Sequence, residues 1–249
     1  MVVQTDISYA AGAACRADLY LPAGKDFPLV VYFHGGGMEG GDKAEENIVS
    51  IARYAAERGV GFLSVNYTLY PHTKFPQCLR EGAKAVAFAF KNLAAWGASS
   101  VYVSGQSAGA YIAMMLCFDG RYLQSEGVDP LSVRGWLIES AQQTAHFNVL
   151  RERGKDPRLQ RIDETAPLYF VSETLRFTRL RLLCYDEDLA CRRRQNELLY
   201  EAVLQFQPAA ELSLEVLHGG HCRASTEAEG GVYPFAEMLC SFVKEETHG

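Results

Sequence analysis

Ser107 stands in Gly105-Gln106-Ser107-Ala108-Gly109, a Gly-x-Ser-x-Gly pattern preceded by the apolar run Val101-Tyr102-Val103 and followed by residues rich in Ala, Met and Leu. A serine hydroxyl serves as a nucleophile when it projects from a sharp turn between a strand and a helix. Only small residues two positions to either side let those elements approach closely enough. The helix start also sets free backbone N–H groups nearby, where developing negative charge is favoured. A second pattern, His34-Gly35-Gly36-Gly37, follows the apolar run at residues 29–33, about seventy residues upstream of Ser107. Ester hydrolysis passes through a tetrahedral oxyanion, stabilised by two or three backbone N–H donors that converge on one point. Losing one such donor costs roughly 2.7–4 kcal/mol of transition-state stabilisation. A phosphate cradle is the weaker reading of this loop, because no Walker Lys-Ser/Thr follows and no GxGxxG is present.

A serine nucleophile needs a base and an acid, ordered Ser, then Asp or Glu, then His along the chain in strand–turn–helix enzymes of this kind. Asp186 and Asp188, with Glu187 between them, follow the apolar run at 180–184. His218 and His221 follow the strand-like stretch at 212–217. Residue types leave both pairs open. A metal site is disfavoured, since the two histidines lie three apart without matching Cys or His elsewhere. A histidine base predicts activity that falls as pH drops below about 6–7.

The elements that must position these residues are legible as alternating short apolar runs and longer amphipathic ones. Runs at 29–33, 60–65, 100–103, 136–138 and 180–184 are nearly continuous in apolar residues, as strands covered on both faces are. The stretch 212–217 alternates more, as a strand nearer an edge does. In 77–96, Leu79, Ala83, Val86, Phe90 and Leu93 share one helical face, and Gly97 follows as a stop signal. Residues 42–58, 107–118, 192–206 and 233–246 read as further helices. Strands alternating with helices predict an α/β fold with a mostly parallel, doubly wound sheet of about eight strands. The first twenty residues, with 15–21 extended, predict an antiparallel edge hairpin. The excursion between 138 and 180 carries no strand pattern and includes the charged run 151–161. So long a segment reads either as a functional lid or as a solvated surface helix and turn.

Taken together, the two glycine motifs and Gly61-Phe62-Leu63-Ser64-Val65-Asn66-Tyr67-Thr68-Leu69-Tyr70-Pro71 resemble the α/β-hydrolase serine esterases with an HGGG oxyanion loop, the hormone-sensitive-lipase-like and bacterial acetyl-esterase groups. The last segment is similar to a family strand ending Asn-Tyr-Arg-Leu-x-Pro. Thr68 stands where relatives have Arg, which puts in doubt any ion pair made there. Gln106 stands where relatives more often carry Asp or His. The resemblance covers nearly the whole chain and implies a single domain over 1–249. It implies Ser107 as nucleophile, with the backbone N–H groups of Gly36, Gly37 and Ala108 as oxyanion donors and His34 and Gly35 supporting the loop. It picks Asp188 as the acid, because relatives space that residue seven before a helix-opening Gln, here Gln195. It picks His221 as the base, following a Gly, and leaves His218 a structural or rim residue.

The implied activity is hydrolysis of carboxylic esters of small substrates through an acyl-enzyme, without cofactor or metal. Larger relatives carry a helical cap. In this chain the only lid-like stretch is the excursion around 141–178, whose part 142–172 contains His146, Phe147, Tyr169 and Phe170. A lid this small implies a shallow acyl pocket and short acyl groups, acetyl among them. Two other readings stand beside this one. The first is a kynurenine-formamidase-like amide hydrolase, whose loop usually carries an aromatic residue where this chain has Met38. The second is a non-catalytic binding module of the same fold.

Composition sets the outer bounds. The 249 residues, 48% hydrophobic and 22% charged, suffice for one large domain with a core that needs no disulfide or metal staple. A net charge of −6 argues against nucleic acid or an anionic membrane as partner. A small-molecule ester is the expected partner, and a homodimer is left open. The seven cysteines are scattered, odd in number and never spaced CxxC. With no basic, apolar leader pattern at the start and no long apolar run, the expected compartment is cytoplasmic.

Overall fold

Eight strands form one sheet, in the order β1-β2-β4-β3-β5-β6-β7-β8. The strands are β1 (Val2–Ser8), β2 (Arg16–Leu21), β3 (Phe27–Phe33), β4 (Gly61–Val65), β5 (Ala98–Gln106), β6 (Gly135–Glu139), β7 (Arg179–Glu187) and β8 (Leu212–Gly220). The computed structural model describes residues 1–245, so position 246 of the last expected helix and the end of the expected domain lie outside the described residues. The hairpin β1–β2 is antiparallel, and β2 joins β4 antiparallel; every other pairing is parallel. The expectations of a doubly wound, mostly parallel sheet and of an antiparallel amino-terminal hairpin therefore hold.

Helices cover both faces: α1 (Glu46–Glu57), α2 (Gln77–Trp96), α3 (Ser107–Phe118), α4 (Arg121–Ser125), α5 (Phe147–Glu152), α6 (Arg192–Phe206), α7 (Arg223–Thr226) and α8 (Pro234–Lys244). The near-continuous apolar runs now have their reason. Along β3, Leu29, Val31 and Phe33 face the cluster built with α2, α3 and α6, while Val30 and Tyr32 face the cluster built with α1 and α8. Edge strand β8 lacks this double cover, and Glu215, Val216 and His218 on it are exposed. Six of the seven cysteines are buried, as small hydrophobes are.

One local outcome differs from expectation. Helix α1 begins at Glu46 rather than 42, because residues 42–45 are committed elsewhere. Asp42 accepts from the Ala44 amide, and Asn66, just past β4, accepts from the Lys43 amide and donates to Asp42. The excursion between β6 and β7 packs onto α3. Its residues 141–146 and 148–150 are buried, Tyr111 of α3 donates to Thr165 O at 2.6 Å, and the His146 ring lies 5.1 Å from the Tyr111 ring. The charged run is largely exposed, laced by Arg158–Asp156, Arg153–Glu164 and Arg161–Asp163 pairs.

Candidate active site

The chain winds from β3 to β4 on one side and then crosses back to β5 on the other, so a crevice opens between the carboxyl ends of β3 and β5. The loop at 34–41 leaves β3 there, and Ser107 leaves β5. Ser107 takes φ of 53° as it turns from strand into helix. This left-handed geometry costs a non-glycine residue free energy, and it is the kind of strain that functional sites hold. Gly109 lets α3 come in so closely: a Cβ there would lie 2.1 Å from Phe33 O. The turn therefore needs Gly109 for contact with β3 and Gly105, whose Cβ would lie 2.7 Å from Gly109 O, for contact with α3, as the spacing implied.

Ser107 Oγ–H donates to His221 Nε2 at 2.8 Å, and His221 Nδ1–H donates to Asp188 Oδ1 at 2.5 Å. An ionised carboxylate only accepts, which assigns the proton to Nδ1 and the free electron pair to Nε2. Burial works against the charge on Asp188, but hydrogen bonds from His221, from Ser140 Oγ at 2.7 Å and from the Leu189 amide outweigh it, and the carboxyl sits below its usual range. The Asp188 side chain is 1% exposed, against 23% for His221. The other two candidates meet each other instead. His218 Nδ1 lies 2.9 Å from Asp186 Oδ2, and Asp186 also accepts from the Gly219 amide, at an exposed rim. Of the alternatives the residue types left open, the structure brings Asp188 and His221 to Ser107 and pairs Asp186 with His218.

The glycine loop is shaped by its carbonyls. His34, buried, donates from Nδ1 to Gly35 O at 2.8 Å, stacks on Tyr67 and is braced by Tyr67 Oη–H donating to His34 O. Burial, only partly offset by that bond to Gly35, lowers the His34 pKa and keeps the ring neutral. Gly36 O accepts from the amides of Glu39 and Gly40, both at 3.0 Å. Gly36 has φ of 96°, and a Cβ on it would lie 2.2 Å from Gly40 O, so only glycine fits. In a trans peptide N–H and C=O point oppositely. Holding Gly35 O and Gly36 O thus directs the N–H groups of Gly36 and Gly37 away from those partners. Neither amide, nor that of Ala108 at the start of α3, donates to a protein acceptor among the described residues.

Gln106, the residue in place of Asp or His, accepts from Tyr32 Oη–H at 2.8 Å behind the serine turn. Two residues that sequence reasoning passed over also belong to the site. Ser140, with φ of 53° at the end of β6, holds the second oxygen of Asp188. Asn148, on α5, donates to Gly37 O at 2.7 Å. Neither stands in a motif, and each acts on a partner far along the chain.

The fold matches known proteins. The family described as alpha/beta hydrolase fold matches residues 30–191. An isoprenylcysteine alpha-carbonyl methylesterase of Arabidopsis thaliana is 31% identical over 115 residues, 45% of this chain and 26% of that protein. A kynurenine formamidase of Danio rerio is 29% identical over 119 residues, 46% of this chain and 39% of its own length. The matched region thus spans well under half the length of these curated relatives. A thermophilic esterase of the planctomycete Thermogutta terrifontis, solved with propionate bound, superposes with a TM-score of 0.76 at 18% identity, over 97% of this chain and 93% of that one. A family match over more than half the sequence, joined to this sheet order and serine turn, means that the chain belongs to the alpha/beta hydrolase fold family.

Proposed function

We propose that the protein is a serine esterase that cleaves carboxylic esters with short acyl groups through an acyl-enzyme. Ser107 Oγ attacks the acyl carbon as His221 Nε2 takes its proton; Asp188 stays ionised and stabilises the imidazolium. The carbonyl oxygen, now an oxyanion, is received by the amides of Gly36, Gly37 and Ala108. Collapse breaks the ester C–O bond, and His221 returns the proton to the leaving alcohol. Water then attacks the acyl-serine with His221 as base, releasing the acid and restoring Ser107.

The observation that carries this reading is the unbroken file Ser107–His221–Asp188 beside the amides of Gly36 and Gly37, which have no protein acceptor among the described residues. The preference for short acyl groups rests on the excursion between β6 and β7 acting as a minimal lid. It offers one six-residue α-helix and a short 3-10 turn and lies largely against α3. Nothing in that segment forms a long apolar flap for a lipid chain. The structural neighbour solved with propionate bound holds a group of this size.

The test compares p-nitrophenyl acetate, butyrate and octanoate with N-formylkynurenine in wild type and Ser107→Ala. Turnover is expected to be highest for acetate or butyrate and to fall for octanoate. Ser107→Ala is expected to lose roughly 10⁴–10⁶-fold in kcat. The formamidase relative supports a second reading, amide cleavage of a formyl group by the same residues. A formamide turned over far faster than every ester would put that reading first, and undiminished activity in Ser107→Ala would remove the serine mechanism.

A further inference from the structure

Helix α5 makes two polar contacts with the glycine loop, between segments more than a hundred residues apart. Asn148 donates from Nδ2 to Gly37 O at 2.7 Å, and its Oδ1 accepts from Arg151 Nη1 at 2.9 Å. Arg151 also pairs with Glu39, whose amide is one of the two that hold Gly36 O. Between these contacts the Phe147 ring presses on the loop, since a Cβ on Gly37 would lie 3.0 Å from Phe147 Cζ. The Arg151 guanidinium in turn stands over that ring at 5.1 Å.

The start of α5 is itself fixed. His146 Nδ1 accepts from the Asn148 amide at 3.3 Å, and the imidazole is sandwiched between the rings of Tyr111 and Phe147. A ring nitrogen can accept only if it carries no proton. Burial, reinforced by the cations of Arg192 and Arg151, lowers the His146 pKa to about 3 and keeps the ring neutral, and the bond from the Asn148 amide assigns the bare nitrogen to Nδ1. Asn148 is buried, 1% exposed, with both ends of its amide bonded. A lone surface contact would not need that degree of definition.

We propose that α5 is a strap that sets the aim of the oxyanion amides, with Asn148 and Arg151 as positioning residues acting through Gly37 and Glu39. The proposal rests on the serine-esterase reading above. Its physical basis is the run of three left-handed residues, Gly36, Gly37 and Met38, at φ of 96°, 65° and 61°. Such a run has several backbone alternatives of similar energy when it contains two glycines. His34 holds the carbonyl of residue 35, the Glu39 and Gly40 amides hold that of residue 36, and Asn148 holds that of residue 37. The plane held by Asn148 carries the Met38 N–H and adjoins, through the Gly37 Cα, the plane of the Gly37 amide; without that bond the loop keeps its sequence and Gly37 is fixed on one side only.

A positioning role predicts a loss confined to the transition state. With p-nitrophenyl acetate, Asn148→Ala is expected to lower kcat roughly 10- to 100-fold while KM stays within about twofold. The affinity for a trifluoromethyl ketone, whose serine adduct carries the oxyanion, is expected to weaken by the same factor. Unchanged kcat and ketone affinity in a folded Asn148→Ala would overturn the proposal, as would a loss that appears only in KM. Should that variant not fold, the half-exposed pair replaces it as the probe. Arg151→Gln and Glu39→Gln are each expected to lower kcat and ketone affinity together, and the double variant to do no worse than either. Additive losses, or none, would overturn the strap. Ser107→Ala, run in parallel, separates the two levels. If it is inactive while the strap variants are normal, only the strap falls; if it remains active, the serine mechanism and the strap fall together.

Discussion

Glu139 ends β6 with its carboxyl group fully buried, one residue before the Ser140 that holds Asp188. Tyr185 Oη–H donates to Glu139 Oε1 at 2.5 Å and accepts from the Ala224 amide at 2.8 Å, three residues past His221. Oε2 has no hydrogen-bond partner among the described residues. Burial dominates and raises the Glu139 pKa to about 7; the nearby polar groups of Ser225 and the bond from Tyr185 only moderate the rise, and the charge on Asp188 adds to it. An unfolded Glu loses its proton near pH ~4.3. Between that value and about 7 the folded protein therefore binds the extra proton, and linkage makes stability fall as pH rises. The contribution is complete at the acid end and gone above about pH 7. Its size is on the order of 3 kcal/mol. Glu139→Gln, which keeps an acceptor for Tyr185, is expected to flatten the decline of the urea midpoint between pH 5 and 8. An equally steep decline in the variant would show that the carboxyl ionises elsewhere in the pH range.

At the level of elements, the loop after β4 shows what replaces an ion pair. Thr68, in place of the family's Arg, donates through its amide to Glu81 Oε2 at 2.7 Å and through its hydroxyl to Glu81 Oε1 at 2.9 Å. Gln77 adds a third donor from one turn earlier in α2. The connection between β4 and α2 thus survives as neutral donors around one buried carboxylate. Glu81→Ala, which strands these donors, is expected to cost about 2–3 kcal/mol in urea unfolding, and Thr68→Val about 1 kcal/mol. Equal small losses for both would show that Glu81 does not organise the loop. The substitution was legible in the sequence, its partner was not. The same division runs through the chain. Helices α2, α3 and α6 have the bounds their sequence pattern implies, because an apolar face and its stop signals are local. The start of α1 was not legible, because residues 42–45 answer to Asn66. The serine turn and glycine loop were legible as motifs. Choosing between the two acids and the two histidines needed family spacing, since Asp186 and His218 also make a good pair, with each other. Asn148 had no sequence signal at all, its partner lying 111 residues away.

Over the whole molecule, the antiparallel end of the sheet is joined to the residues just past the glycine loop by one lysine. Lys43 Nζ lies 2.9 Å from Asp6 and 2.8 Å from Asp18, with side-chain exposures of 7% for Lys43 and 3% for Asp18. Its carbonyl accepts from Ser64 Oγ on β4, and its amide donates to Asn66. A single residue thereby ties β1, β2 and the end of β4 to the segment leading into α1. Two charges taken out of water together stabilise little beyond an apolar pair of the same shape. Removing one of them leaves the other uncompensated, at a cost of about 3–5 kcal/mol. Asp6 is 74% exposed and can rehydrate, so the cost falls on Asp18. Lys43→Met is therefore expected to lower the unfolding free energy by about 3 kcal/mol. The double variant Lys43→Met/Asp18→Asn is expected to recover much of that loss, because the amide still accepts from the Asp6 backbone N–H, as Asp18 does at 2.8 Å. Esterase activity per folded molecule is expected to change little in either, since the carbonyls of the glycine loop are held by His34, by the loop itself and by α5. A kcat that falls with stability, and recovers with it in the double variant, would instead mean that the hairpin and the oxyanion loop form one cooperative unit.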